Sequence, residues 1–225
     1  MGLKAIFVAG TDTGVGKTIV AGALVAAMRL KGHRVGVMKP VSCGGREDAH
    51  FLMRCAEATD PINIVNPIYL KYPLSPNVAS RLEEKKIDLK KIKTSYKKLF
   101  KKYDVLIIEG CGGLLVPITD KFFVIDLIPI FKAQTVLVSR SGLGAINHSL
   151  LSLEALKARK IKPLGLIFNR LSSGELTIAE KTNPQVIERL SGIAALGMFP
   201  FIKTERNTSC LGKTFLKLID LEIFL

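Results

Sequence analysis

No apolar run in this chain approaches the ~18 residues that a membrane-spanning helix needs. The N-terminus leads straight into a strand-like pattern with no basic and apolar leader regions, so secretion is not expected and a cytoplasmic location is. The four cysteines, Cys43, Cys55, Cys111 and Cys210, contain no C-x-x-C pair. That spacing argues against a zinc site or a disulfide framework and fits a reduced compartment. Internal repeats and low-complexity tails are missing as well. Acidic residues are scarce: 19 stand against 33 lysines and arginines, for a net charge of +14. Such a charge permits contact with nucleic acid or membrane, and it equally favours small anionic ligands. Much of it lies in Lys85–Lys102, where Ile87, Ile92, Tyr96, Leu99 and Phe100 recur at near-helical intervals. This stretch reads as an amphipathic helix with a solvated basic face rather than a nucleic-acid-binding strip.

What is present organises around Leu3–Thr18, LKAIFVAGTDTGVGKT. An apolar run (Leu3–Ala9) suited to a buried strand is followed by a small polar loop, and Lys17-Thr18 opens an apolar-periodic helix to about Arg29. Strand, glycine-rich loop and Gly-Lys-Thr together form the context of a phosphate-binding loop. Backbone N–H groups of the loop and the helix N-terminus face the anion, Lys17 neutralises the outer phosphates, and the Thr18 hydroxyl suits magnesium. The usual first glycine would fall at position 11, where Thr11 stands; Gly10 precedes it.

Strand patterns at Arg34–Lys39, Asp104–Glu109, Gln134–Ser139, Leu164–Asn169 and Ala194–Met198 alternate with helical ones. The helices are expected at Glu47–Ala58, Asn77–Glu84, Leu89–Lys102, Phe123–Phe131, Ala145–Arg159, Pro184–Leu190 and Leu211–Leu221, and Val41–Arg46 is expected as a loop. The alternation predicts one α/β domain over residues 1–225: a doubly wound, mostly parallel sheet with helices on both faces, of the phosphate-loop NTPase kind. Four groups fall at strand ends, where such a sheet gathers its ligands. Lys39 could bind a carboxylate or a developing phosphoryl charge. Asp48 is a helix-start residue or a magnesium ligand. Glu109 stands where an acid commonly contacts the metal beside a phosphate loop, and the Asn169 amide, followed by Arg170, suits a purine edge. His33 reads as a turn residue, and His50 and His148 as helix residues near the site rather than ligands.

Taken together, GTDTGVGKT (Gly10–Thr18), KPVSCGG (Lys39–Gly45), Asp48, Asn66-Pro67, Ser75-Pro76, EGCGGLLVPITD (Glu109–Asp120), GLGAINHSLL (Gly142–Leu151) and Asn169 resemble the dethiobiotin synthetase family, from the first strand to about Ile202. The resemblance implies an ATP- and magnesium-dependent ring closure of 7,8-diaminononanoate with carbon dioxide, through a carbamate and its mixed anhydride with phosphate, in biotin biosynthesis. Thr13, Gly14, Val15, Gly16, Lys17 and Thr18 would then cradle the phosphates, and Lys39, Lys17 and Thr13 would be catalytic. Thr18, Asp48 and Glu109 would hold Mg2+. Gly110, Cys111 and Gly112 would run along nucleotide and substrate, Asn169 with Arg170 would meet the base, and Pro200, Phe201 and Ile202 would lie beside it. A homodimer with a shared site is implied, in which Gly144, Ala145, Ile146 and Asn147 bind the substrate carboxylate; nucleic acid and membrane play no part.

Two positions depart from the family pattern. Cys43 stands where serine is usual, with Ser42 one place earlier, and either could contact substrate. Asn207 stands where an acidic residue meets the nucleotide sugar, so a triphosphate other than ATP stays open. The rival from another class is a positioning or partitioning ATPase that binds DNA or membrane; its loop carries an early lysine where this chain has Thr11.

Overall fold

Lys4–Gly10 (β1) is buried from Ala5 onward, with Ile6 and Val8 facing one core and Ala5, Phe7 and Ala9 the other. Burial on both faces is the condition of a central parallel strand. The computed structural model describes residues 4–202 and 207–225, so Leu3, expected to open this strand, lies outside the described residues. The strands that follow are Val35–Met38 (β2), Val41–Cys43 (β3), Ile68–Leu70 (β4), Val105–Glu109 (β5), Pro117–Thr119 (β6), Phe122–Phe123 (β7), Gln134–Arg140 (β8), Gly165–Asn169 (β9) and Ala195–Phe199 (β10). Six of them form a parallel sheet in the order β10-β9-β8-β1-β5-β2. Its register pairs Val8 with Glu109, Gly10 with Val138 and Arg140 with Asn169. The carboxyl ends of neighbouring strands therefore meet along one edge.

The helices are Lys17–Leu30 (α1), Glu47–Ala56 (α2), Ile62–Val65 (α3), Pro76–Leu82 (α4), Leu89–Lys102 (α5), Leu127–Phe131 (α6), Ala145–Ala158 (α7), Ile178–Ser191 (α8) and Thr208–Leu218 (α9). One core joins Val20, Leu24 and Met28 of α1 to Phe51 and Leu52 of α2 and Phe215 of α9. The other joins Ile92 and Leu99 of α5 to Phe131, Leu156 and Ile187. Helices on both faces of a parallel sheet, with strands laid down on either side of β1, give the doubly wound α/β fold. No helix among the described residues is long and apolar enough to cross a membrane.

Four expectations change. Val41–Arg46 is not all loop: Val41–Cys43 pairs in parallel with Ile68–Leu70, anchored by Ile68 N–H on the Pro40 carbonyl. Phe123–Phe131 is not one helix. Phe122–Phe123 closes an antiparallel hairpin on Pro117–Thr119, and only Leu127–Phe131 is α-helical. The helix expected from Pro184 begins at Ile178 instead, because Thr177 and Glu180 form a reciprocal capping box that outweighs the proline inside it. The last helix starts at Thr208, with Asn207 as its cap: Asn207 Oδ1 accepts Cys210 N–H at 3.0 Å.

Candidate active site

The loop after β1 turns through Gly16, whose φ of 90° is left-handed and whose missing side chain leaves room for the Asn169 amide. Asn169 Nδ2 donates to the Val15 carbonyl at 3.1 Å, and its Oδ1 is buried with no donor among the described residues. Lys17 is buried, its stem lies across Gly10, and its Nζ donates to the Asp12 carbonyl at 2.8 Å. Burial draws the Lys17 pKa down, with Glu109 opposing. Lys17 Nζ rests on a neutral carbonyl, so its donors are available to an anion seated on the loop.

Lys39 is the hub of the carboxyl edge. Its Nζ lies 2.6 Å from Glu109 Oε1 and 2.7 Å from Asp48 Oδ2, and it donates to the Gly110 carbonyl at 3.3 Å. Thr18 Oγ1 donates to the same Glu109 oxygen at 2.8 Å. Burial works against the Lys39 charge, but the carboxylates of Glu109 and Asp48 more than offset it and hold the ammonium charged. Burial pushes Glu109 up, against the pull of Lys39. The Lys39 ammonium and the Thr18 hydroxyl both rest on its Oε1. Asp48 is also subject to burial, yet Lys39 brings its pKa below the ordinary range.

Two carboxylates and a hydroxyl converging on one point are the hard oxygen donors that a small divalent cation takes. Glu109 Oε2 is buried and without a donor among the described residues, a spare acceptor of the kind such an ion would use. The donor set fits magnesium. No cluster of three or more His, Cys, Asp or Glu occurs among the described residues, so a metal here would depend on Thr18 and on the nucleotide's own oxygens.

Lys17, Thr18, Lys39, Asp48 and Glu109 open onto a cavity of about 1290 Å³, bounded also by Thr13, Gly14 and Gly16 on the loop side and by Ser42, Cys43, Cys111 and Gly112 opposite; Asn169 is not part of its lining. Ser42 is fixed by Asn66, whose Nδ2 donates to the Lys39 carbonyl (2.7 Å), Ser42 Oγ (3.1 Å) and the Ile68 carbonyl (3.1 Å). Burial pushes the Cys43 thiol up to about 12, so it lines the wall as a neutral, weak donor. His50 also faces the cavity.

Other expected residues lie apart from it. Arg170 is engaged by Glu180 Oε1 at 3.2 Å and by the Gly174 and Glu175 carbonyls. Gly144 precedes α7, and Ala145, Ile146 and Asn147 form its first turn outside the cavity lining. Pro200, Phe201 and Ile202 follow β10, with Phe201 exposed and Ile202 packed on the first core. Asp12 and Arg140, missed in the sequence, form an ion pair beside the loop at 3.2 Å. The strand was expected to end at Ser139, which left Arg140 unconsidered.

A family model described as an AAA domain matches residues 4–208. An ATP-dependent dethiobiotin synthetase of Thermodesulfovibrio yellowstonii is 43% identical, over 96% of both chains. Its counterpart in Methanocaldococcus jannaschii is 42% identical over 86% of this chain and 92% of its own. That of Nitrosopumilus maritimus is 36% identical over 99% and 100%. Among solved structures, the septum site-determining protein MinD of Pyrococcus horikoshii, complexed with Mg-ADP, superposes with a TM-score of 0.58 at 15% identity, covering 95% of this chain and 93% of its own. A ParA family ATPase of Chlorobium tepidum gives 0.58 at 13%, covering 96% and 91%. At such identities the structural likeness is one of fold alone.

Proposed function

The chain belongs to the ATP-dependent dethiobiotin synthetase family, and from that premise we propose how its cavity closes the ring. It is an ATP-dependent cyclo-ligase of biotin biosynthesis. In our reading its substrates are 7,8-diaminononanoate, carbon dioxide (drawn from bicarbonate) and ATP. One amine adds to carbon dioxide and loses a proton, giving a carbamate. A carbamate oxygen attacks the γ-phosphorus, ADP leaves, and a mixed carbamic–phosphoric anhydride forms. The second amine attacks the anhydride carbon and loses a proton, phosphate departs, and the cyclic urea is complete.

No covalent bond to the protein is required; placement and charge do the work. The observation that carries this reading is the buried Lys39 ammonium, held at the mouth of the phosphate loop by two carboxylates. Thr13, Gly14, Val15, Gly16 and Lys17 would cradle the phosphates, with Lys17 reaching from nucleotide to carbamate. Thr18, Asp48 and Glu109 would hold Mg2+, which screens the phosphate oxygens when bound. Lys39, whose ammonium lies beside Asp48 and Glu109, would stabilise the charge on the carbamate and phosphoryl oxygens. Gly110, Cys111 and Gly112 would follow the nucleotide and substrate. Ser42, accepting from Asn66, keeps its own O–H to donate to substrate, and Cys43 forms the wall beside it. The spare Asn169 Oδ1 matches the exocyclic amine of adenine, which favours ATP, with Arg170, Pro200, Phe201 and Ile202 around the base.

We place Gly144, Ala145, Ile146 and Asn147 in the neighbour's site of a homodimer. Leu143, directly before them and 89% exposed, supports such an interface. The reaction uses small molecules in the cytoplasm and calls on neither nucleic acid nor membrane. Phosphate release from the purified chain with the diamine, bicarbonate, magnesium and ATP, each omitted in turn, tests the reading. Release should need all four and vanish in Lys39→Ala. Release that ignores the diamine and rises with DNA or lipid would instead favour the positioning-ATPase reading that the fold also allows.

A further inference from the structure

The head of the phosphate loop carries a negative charge that an anion site does not want. Asp12 stands one residue before the cradle, its Oδ1 accepts the Thr13 N–H at 2.7 Å, and its carbonyl holds Lys17 Nζ at 2.8 Å. A carboxylate in that position repels a polyphosphate. Its second oxygen, Oδ2, accepts from Arg140 Nη2 at 3.2 Å. The same nitrogen lies 3.1 Å from His148 Nδ1, in the first turns of α7, which offers it a lone pair when the ring proton sits on Nε2.

Arg140 comes from the adjacent strand. It is the last residue of β8, and two residues earlier the Val138 carbonyl accepts the Thr11 N–H at 3.0 Å. Loop head and guanidinium are thus tied to one sheet edge. Arg140 Nε is buried with no acceptor among the described residues, so the pair is a single-nitrogen contact rather than a locked fork. Neither ring closure nor metal binding as described above uses Arg140.

We propose that Arg140 is a positioning residue for the nucleotide. It cancels the Asp12 charge, leaves Asp12 Oδ1 on the Thr13 N–H, and so keeps the loop attractive to phosphate while His148 steadies the guanidinium from α7. The proposal rests on the phosphate loop being the nucleotide site. It predicts a loss of nucleotide affinity, read as a raised KM for ATP with kcat largely kept, and it predicts that removing the Asp12 charge repairs that loss.

The experiment is calorimetric titration of MgATP into the full chain, with steady-state kinetics alongside. Arg140→Ala should bind about fivefold more weakly, the scale of one partly exposed ion pair. Arg140→Lys, which keeps the charge, should recover most of that. Asp12→Asn with Arg140→Ala should return to within about twofold of wild type, since asparagine keeps the Oδ1 acceptor and drops the charge. Wild-type affinity in Arg140→Ala overturns the proposal, as does a double variant no tighter than Arg140→Ala. Should Arg140→Ala not fold, Arg140→Gln replaces it under the same criteria. A wild-type chain that binds no MgATP, or a Lys17→Ala variant that binds as wild type does, overturns the nucleotide site itself and this proposal with it.

Discussion

Lys17 and Lys39 are both buried beside one loop, yet their surroundings drive them in opposite directions. Lys17 meets a neutral carbonyl and is drawn down by burial; Lys39 meets two carboxylates and stays charged. One lysine rests on a carbonyl facing the loop, and the other on two carboxylates at the strand edge. Asn66 holds the segment between Lys39 and Ser42 with its two amide N–H groups shared among three acceptors. Asn66→Ala leaves two buried carbonyls and a hydroxyl without their donor, and should lower unfolding free energy by about 2–4 kcal/mol in urea titration. A loss below about 0.5 kcal/mol would mean that water replaces the amide. Thr18, Lys39, Asp48 and Glu109 were legible in the sequence because each sits in or beside a motif at a strand end or a helix start, and the structure joins them by hydrogen bonds through Lys39 and Glu109. Asp12, Arg140 and the role of Asn66 were not. Asp12 and Arg140 are 128 positions apart, and their meeting depends on β1 and β8 being neighbours.

At the scale of elements, helix contact and helix capping decide what periodicity does not. On α9, a Cβ at Gly212 would come within 2.8 Å of the Ala26 backbone on α1. Intrinsic propensity favours alanine over glycine there by about 1 kcal/mol, but overpacking against a backbone costs about 1–3 kcal/mol. Gly212→Ala should therefore lower Tm; a rise would show that α9 shifts away freely. Glu180 caps α8 and anchors the strand end: it accepts from the Thr177 N–H, from Ser141 and from Arg170, and its pKa falls to about 2 from the ordinary 4.5, first through the Thr177 N–H. A depressed carboxylate stabilises the fold above pH 4.5, and that contribution fades as pH falls toward 2. Glu180→Gln should flatten the stability–pH curve across this window. An unchanged slope would exclude Glu180 as its source. Leu89–Lys102 was legible as a helix from its apolar stripe, but the amphipathic stretch read from Lys85 overran its start by four residues, because Asp88 caps the helix there. The hairpin of Pro117–Thr119 with Phe122–Phe123 was not, because short paired strands carry too few residues to show a period.

Over the whole molecule, fold and family answer different questions. The fold is shared with a ParA family ATPase and a septum site-determining protein at 13–15% identity, whereas dethiobiotin synthetases match at 36–43% along nearly the whole chain. Fold class followed from the alternation of strand and helix patterns, because buried parallel strands and amphipathic helices have distinct periods. The charge does not separate the two kinds of protein: the lysines of α5 face solvent while Ile92 and Leu99 face the core, as a solvated surface helix requires. Chemistry separates them. A ring-closing ligase must place the carbon of bicarbonate into a cyclic urea, and a positioning ATPase cannot. The decisive measurement is mass spectrometry of the products after incubating the chain with 7,8-diaminononanoate, ¹³C-bicarbonate, magnesium and ATP. Dethiobiotin carrying the label at its ureido carbonyl, formed in step with phosphate, is the expected result. Phosphate released without labelled cyclic urea would contradict the assignment.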